Sequence, residues 1–391
     1  MKLGKNILVA AAISLGLGQQ IEASNPIIDE ILRDNPTLNA LKASDEAAIA
    51  SAQAENTLAG PEAEFEYLRG RGGATKWSLG VTQSFDWPGV YKKRREAIEF
   101  NRAVSNLQYD ARRLDIATEA NTQLIRYKYV SERRKLLSDI FDALTSLEKS
   151  LKTALDHGLV TILDYKKAGI ERFGVERDIR LATADLAEIQ GNLSLLAGRE
   201  LDWNTYTPAL TSELSKSLDD YLQEARQMDP AYLAGLVSIT ATQREIDVAR
   251  AETLPSFSIG YRHEREEGIH FNGFAVGIGL PTWGFNRRKL ASSAALKAVQ
   301  NEAGNVSAFM TTRITNEWKQ ADALKRDLQE VQATAIDRDY LKLLTLAYEG
   351  GELSVLDYIR ELSFCREVTM NIIDMRERYE TLLASLNRYQ L

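Results

Sequence analysis

The chain is poor in cysteine, histidine, basic residues and long apolar runs, and each shortage excludes something. One cysteine, Cys365, among 391 residues rules out an intrachain disulfide and a cysteine-based zinc site. Only three histidines occur, His157, His263 and His270. No His-Glu-x-x-His helix, Gly-rich phosphate loop or nucleophile elbow accompanies them. The chain is therefore expected to be no enzyme, with no catalytic residues and no cofactor or metal. His263 and His270 flank Glu264, Glu266 and Glu267. That stretch reads as a solvated acidic loop, and a flexible loop fixes no ligand geometry. Lys and Arg number 48 against 55 Asp and Glu, a net charge of −7. A nucleic-acid partner, which needs basic faces for phosphates, is not expected.

Apolar length is also missing. Beyond the first two dozen residues no run is long enough for a membrane helix. If the mature chain crosses a bilayer, it must do so as a closed β-barrel, because every backbone polar group must be paired there. The one apolar stretch near the start, Ile7 to Leu17, follows Lys2 and Lys5 and leads to small residues, with a plausible cut after Ala23. Residues 1–23 are expected to be a signal peptide.

The rest of the sequence is written twice. Asn35-Pro36 is matched by Asp229-Pro230, and Trp87 by Trp283. The segment Gly158-Leu-Val-Thr-Ile-Leu-Asp-Tyr165 is matched by Gly351-Glu-Leu-Ser-Val-Leu-Asp-Tyr358. Three landmarks in one order at a nearly constant offset mark a tandem duplication. The expected division is a first repeat over 24–197, a linker over 198–217 and a second repeat over 218–391. Each repeat reads as helix, hairpin, long helix, tip turn and helix. The hairpins fall at about 61–86 and 255–283, and the tip turns at about 156–163 and 349–354.

The strands show strict period two. Trp77, Leu79, Val81 and Phe85 alternate with Ser78, Gly80, Thr82 and Ser84. Phe257, Ile259 and Tyr261 alternate with Ser256, Ser258 and Gly260, and Phe274, Val276, Ile278 and Leu280 with Ala275, Gly277 and Gly279. The leading strand of the first pair, Glu62 to Arg69, is weaker, with Phe65 and Tyr67 on its apolar face. Ten residues from Trp77 to Asp86 suit a membrane strand. Trp77, Phe85, Trp87, Phe271, Trp283 and Phe285 sit where interfacial girdles would. The polar linkers Gly70 to Lys76 and His263 to Asn272 are expected to be outer turns.

Each Trp precedes a basic cluster, Lys92-Lys93-Arg94-Arg95 or Arg287-Arg288-Lys289. Cations at a helix N-terminus oppose its dipole. Their presence in both copies points to an external anion, such as a lipid headgroup, with an ordinary solvated helix start as the alternative. Between Val90 and Leu155 there is neither Pro nor Gly. A helix of that length reaches roughly 100 Å. Apolar residues at 3-4 spacing give coiled-coil seams. They are Leu137, Ile140, Leu144, Leu147 and Leu151; Ile179, Ala182, Leu186, Ile189, Leu193 and Leu196; and Ile372, Met375, Tyr379, Leu382, Leu386 and Tyr389.

Four strands per chain cannot close a barrel, and open edges are forbidden in lipid. Strands of this kind in a membrane therefore require several copies, with two, three or four allowed.

With the duplication, the strand pairs between very long helices and the run Tyr348-Glu-Gly-Gly351-Glu-Leu-Ser-Val-Leu-Asp357, the mature chain resembles the TolC-type outer-membrane efflux family. His157 to Asp164 is similar to the family's first-half tip. The resemblance implies a mainly α fold with membrane β-structure: a homotrimer with an α-barrel tunnel and a shared 12-stranded barrel in the outer membrane of a Gram-negative bacterium. It implies an exit duct of a tripartite efflux system, fed by an inner-membrane transporter of the RND type through a periplasmic adaptor. It implies an equatorial belt near Gly198 to Ser217, with Trp203, Tyr206 and Pro208. Phe85 to Arg95 is similar to the metal-efflux branch. Gly158, Asp164, Tyr165, Tyr348, Gly351, Asp357 and Tyr358 would form the periplasmic tips. Trp77, Phe85, Trp87, Trp283 and Phe285, with Arg94, Arg95, Arg287 and Arg288, would meet outer-membrane lipid.

Asp164 and Asp357 match the family's tip carboxylates, and six of them in a trimer would favour cations at the aperture. The same residues also suit a helix start, where Asp complements the dipole. Leu353 stands where some members carry an Arg able to pair with the first-half Asp, which leaves a salt-bridge lock without its cation. The rival readings are a periplasmic coiled-coil adaptor and a structural scaffold without a pore. Fractionation separates both from a channel.

Overall fold

The computed structural model describes residues 26–71, 73–201, 213–280, 285–334 and 339–390, and of 285–289, 332–334 and 339 it describes the backbone alone. The leader, the belt residues Trp203, Tyr206 and Pro208, and Trp283 lie outside the described residues. So do the side chains of Phe285, Arg287 and Arg288.

The elements run α1 (Pro26–Asp34), α2 (Pro36–Glu55), β1 (Glu62–Arg69), β2 (Thr75–Phe85), α3 (Pro88–Asp156), α4 (Ile162–Ala197), α5 (Leu218–Met228) and α6 (Pro230–Ala251). They continue with β3 (Ser256–Glu266), β4 (Ile269–Gly279), α7 (Phe285–Thr334), α8 (Asp339–Glu349) and α9 (Val355–Leu386), and a short 3-10 turn, Arg388–Gln390. Prolines sit at the first position of α1, α2, α3 and α6. There the missing N–H costs nothing and the fixed φ suits a helix. α3 runs for 69 residues because nothing inside it breaks the hydrogen-bond ladder.

Two compact units form. One contains the described residues of 38–111 and 226–311, and with them the whole sheet; the other contains the described residues of 26–37, 112–225 and 312–390.

The sheet in the first unit is antiparallel, in the order β1-β2-β3-β4. The two hairpins thus join through β2 and β3, and β1 and β4 are left as edges. The second hairpin differs from its expected form. His263 to Asn272 is not a loop: His263 pairs with Asn272, Arg265 with His270 and Glu266 with Ile269. Only Glu267 and Gly268 turn, with φ of 49° and 92°. Positive φ at both central residues is the type I′ turn, whose twist matches that of the strands it joins. The charged residues hid a regular strand whose period continues to its end.

The second unit has its core where two helical hairpins pack. Leu137, Ile140, Leu144, Leu147 and Leu151 of α3 are buried with Ala168 and Val175 of α4, Leu344 of α8, and Tyr358 and Leu362 of α9. The first seam is thus wholly buried. In the second, Ala182, Leu186, Ile189 and Leu193 are buried, while Ile179 and Leu196 are half-buried. The third is displaced by about one residue. Ile373 and Leu383 are buried together with Tyr379 and Leu386, while Ile372, Met375 and Leu382 are half-buried. A 3-4 pattern leaves such a one-step rotation open, because the flanking residues there are apolar too.

Candidate functional site

Two surfaces carry the sequence-derived candidates, one in each unit. The first is the sheet. Cross-strand register puts Phe65 opposite Leu79, Tyr67 opposite Trp77, Val81 opposite Tyr261 and Phe85 opposite Phe257. Tyr261 in turn faces Phe274, Ile259 faces Val276, and Phe257 faces Ile278. Residues directly opposite share a face, so one apolar surface crosses all four strands and gives way to His263, Arg265, His270 and Asn272 towards the Glu267–Gly268 turn. It is bare: Phe65 is 67% exposed, Phe274 89%, Val276 74% and Ile278 62%. A contiguous patch of that kind is not stable against water and marks a surface that another apolar medium or partner covers.

The opposite face is mostly small and polar, but Ile269 and Phe271 lie on it near the turn, so Phe271 does not join the aromatic residues of the apolar face as expected. Ser78, Gly80 and Gly260 are buried on it. Towards the Glu267–Gly268 turn it becomes ionic. Lys76 Nζ lies 3.1 Å from Glu264 and 3.5 Å from Glu266, and Arg262 bridges Glu64 and Glu264 at 3.5 and 3.4 Å. Sequence reasoning missed this ladder. Its signal was present: Arg262, Glu264 and Glu266 hold the period-two phase of Ser256, Ser258 and Gly260.

The aromatic candidates flank the apolar face. Trp77 packs near Phe65 and His263 at the turn end, with ring centroids 6.4 and 5.3 Å away. Trp87 contacts Phe257 at 5.6 Å at the other end. Trp77 and Phe85 are eight strand residues apart, about 26 Å along the strand, comparable with the apolar band of an outer-membrane barrel.

Of the first basic cluster, Arg94 is committed inside the protein. Its guanidinium donates to Asp86 Oδ2 at 2.9 Å and to Glu252 Oε1 at 2.8 Å. Burial alone would lower its pKa, and the hydrogen bonds to Glu252 and Asp86 outweigh this and raise it. An external anion is therefore not needed to balance Arg94. Lys93 pairs with Glu96 at 3.2 Å, while Lys92 and Arg95 are exposed.

The second surface is the pair of tip turns, which share one design. Gly158 has φ 70° and Gly351 φ 77°. Gly158 N–H donates to Leu155 O at 2.9 Å and Leu159 N–H to Ala154 O at 2.9 Å. Gly351 N–H donates to Tyr348 O at 3.0 Å and Glu352 N–H to Ala347 O at 2.9 Å. Both are left-handed glycine caps that satisfy the last carbonyls of a helix. Three residues later a hydroxyl opens the next helix. Thr161 Oγ1 accepts from Asp164 N–H at 3.2 Å, and Ser354 Oγ accepts from Asp357 N–H at 3.2 Å. Each hydroxyl donates to its own aspartate at 2.6 Å. In the first tip Thr161 N–H also donates to Asp164 at 3.3 Å, completing a capping box.

Asp164 and Asp357 are thus helix-start residues. For Asp357 the local partner is Arg360, 3.1 Å away. Among the described residues Asp164 has no cation at salt-bridge distance. Leu353 packs against the apolar core. Tyr165 is half-buried on the same core, and Tyr358 is buried in it, stacked on Tyr348 with centroids 4.6 Å apart and planes 17° apart. Leu159, Ile162 and Leu163 remain exposed at the first tip, a detail not singled out from sequence.

No protein-family model matches the sequence, and no curated protein matches it. Solved structures do. A membrane protein from Pseudomonas aeruginosa superposes with a TM-score of 0.73 at 18% identity, over 93% of this chain and 89% of that one. The outer membrane protein VceC from Vibrio cholerae gives 0.73 at 15% identity, over 93% and 95%. The open state of the MtrE outer membrane channel of Neisseria gonorrhoeae gives 0.69 at 17%, over 93% and 88%. The chain has the fold of these membrane proteins, one of them an outer membrane channel. The likeness covers nearly the full length of each, so both the sheet and the long helices belong to it.

Proposed function

We propose that this protein is an outer-membrane channel subunit, a passive exit duct for substrates that an inner-membrane pump delivers through a periplasmic adaptor. The observation that carries this reading is the four-stranded sheet with one bare apolar face, one polar face and two unpaired edges. Among the described residues no helix is long and apolar enough to cross a membrane. In lipid the apolar face is satisfied, but the edges of β1 and β4 are not. The order β1-β2-β3-β4 with antiparallel neighbours allows β4 of one copy to pair antiparallel with β1 of the next. Three copies give twelve strands, a number that barrels of this kind tolerate. The fold shared with outer-membrane channels favours three over two or four.

In that assembly the apolar face meets lipid and the ladder of Lys76, Arg262, Glu64, Glu264 and Glu266 lines the lumen near its outer mouth. Trp77, Phe85, Trp87, Trp283 and Phe285 belong to the two lipid interfaces, and Arg95, Arg287 and Arg288 to the headgroup side. The duplicated tips, with Gly158, Asp164, Tyr165, Tyr348, Gly351, Asp357 and Tyr358, form the periplasmic aperture and meet the adaptor. Residues 24–197 and 218–391 act as two repeats joined by 198–217. No catalytic chemistry is assigned.

Fractionation and conductance test this reading. The mature protein should stay in the outer membrane until detergent is added, run as a heat-modifiable trimer, and conduct ions in planar bilayers. Recovery in the soluble periplasmic extract would favour an adaptor or scaffold instead. Asp164→Asn combined with Asp357→Asn should reduce cation preference while leaving the caps in place, since Thr161 and Ser354 still accept from the backbone N–H of residues 164 and 357 and the Asn carbonyl oxygen can still accept from their hydroxyls. Unchanged selectivity would remove the aperture role of these carboxylates.

A further inference from the structure

The turn end of the second hairpin holds a pair of imidazoles in fixed register. His263 lies on β3 and His270 on β4, on the same face as Trp77 and Tyr261. His270 Nδ1 and His263 Nε2 are 3.4 Å apart. The other ring nitrogen, His263 Nδ1, lies 2.6 Å from Asn272 Oδ1, which also accepts from Tyr261 OH at 2.9 Å. A carbonyl oxygen only accepts, so His263 Nδ1 carries the hydrogen and its Nε2 presents a lone pair to His270.

We propose that His263 and His270 form a surface binding site for a late first-row divalent cation of the zinc, nickel or copper class. The spacing is the first argument. Two nitrogens bound tetrahedrally at about 2.0–2.1 Å from a metal stand roughly 3.3–3.4 Å apart. As a direct hydrogen bond between the two rings, 3.4 Å is at the long end of the range.

Orientation is the second argument. A ligating imidazole characteristically donates its other N–H to a carbonyl or carboxylate, which fixes the tautomer and ring plane. Asn272 supplies that acceptor, itself held by Tyr261. Trp77 packs obliquely against His263 on the side away from His270's strand, with centroids 5.3 Å and planes 55° apart, and limits ring rotation. Imidazole nitrogen selects zinc, nickel and copper over calcium and magnesium. Both strands are paired through this region, so the backbone is set before any ion arrives.

Two ligands leave the remaining positions to water, which makes this a loading site and not a structural one. Arg265, directly across from His270 on the same face, opposes a second cation and weakens the affinity. The site lies within one chain and does not depend on channel assembly.

Calorimetric titration of the purified full-length protein with ZnCl2 and with NiCl2 tests the proposal. One ion per chain should bind. His263→Ala and His270→Ala should each abolish that uptake. Asn272→Ala should weaken it by roughly 10- to 100-fold through lost orientation, and Arg265→Ala should tighten it several-fold. MgCl2 should give no saturable heat. Retained far-ultraviolet circular dichroism establishes that each variant is folded. The proposal is overturned if the wild-type protein shows no saturable binding at millimolar zinc or nickel, or if a folded His263→Ala/His270→Ala variant binds as well as the wild type.

Discussion

Tyr348, in the last turn before one tip glycine, lies flat on Tyr358, in the first turn after it, with ring centroids 4.6 Å apart. The Tyr358 hydroxyl is 3.1 Å from Thr345 Oγ1, and its ring joins the core shared by both helical hairpins. Tyr358→Ala should cost about 3–5 kcal/mol by emptying a buried aromatic site. Tyr358→Phe should cost only about 1 kcal/mol, the worth of one hydrogen bond. Denaturant unfolding followed by tyrosine fluorescence separates the two, and equal losses would mean that the stack contributes little.

At Gly158 and Gly351 an added Cβ meets nothing within 4 Å, so space is not the constraint. The constraint is the left-handed backbone. Alanine at either position should cost about 1–2 kcal/mol, and asparagine, which tolerates this region, should cost less. Melting temperatures of the Ala and Asn variants should differ in that order at both tips.

Glycines in the sheet divide by what they face. A Cβ at Gly260 would stand 3.0 Å from the Val81 carbonyl oxygen and 2.8 Å from Thr82 Oγ1. One at Gly277 would meet only Ser258 Oγ and Cβ, and the hydroxyl can turn away. Gly260→Ala should therefore reduce the folded, heat-modifiable fraction in membranes strongly, and Gly277→Ala weakly. Equal yields would show that the β2–β3 seam can shift by the few tenths of an ångström that Gly260→Ala demands.

Glu317, on α7, supplies a pH-dependent test. Burial is the largest influence on its carboxyl and raises its pKa, against the lowering effects of Arg313, the Ser385 hydrogen bond and Arg388. A carboxyl raised in the folded state binds its proton more tightly there than in the unfolded chain. Ionising it then costs stability, a cost absent below the ordinary carboxyl range and complete above the raised value. Glu317→Gln keeps an acceptor for Ser385 Oγ, which donates at 2.9 Å. The variant should melt above the wild type near neutral pH, and the gap should close as pH falls into the carboxyl range. A gap that widens on acidification would reverse the assigned sign.

Much of this was legible in the residues themselves. Trp77, Leu79 and Val81 lie on one face because strands have period two, and α3 is unbroken because nothing in it breaks a helix. What escaped depends on partners remote in sequence. Arg94 meets Glu252, 158 residues away. Composition alone suggested a headgroup for Arg94, because the carboxylates that satisfy it are invisible from its own neighbourhood. The turn at Glu267–Gly268 escaped for another reason. Charged and histidine side chains on both arms masked an alternation that is judged by apolarity, although register does not require apolar residues. Tyr348 and Tyr358 were both singled out as tip residues, but their stacking follows from the glycine turn that folds one helix back on the next.

The pairing of β2 with β3 has a consequence for how the protein is made. The paired residues are about 170–190 positions apart in the chain, and closing so long a loop is slow even where it costs little free energy. The first hairpin emerges from the ribosome well before its mate exists. During that delay β2 offers a free edge rich in aromatic and β-branched residues, the sort that recruits wrong partners. On its other side β1 carries Glu62, Glu64 and Glu66 at alternate positions, and repulsion between like charges discourages two nascent copies from joining there. The weaker of the two leading strands is thus the one with a charged edge, and in the finished four-stranded sheet that edge is still unpaired.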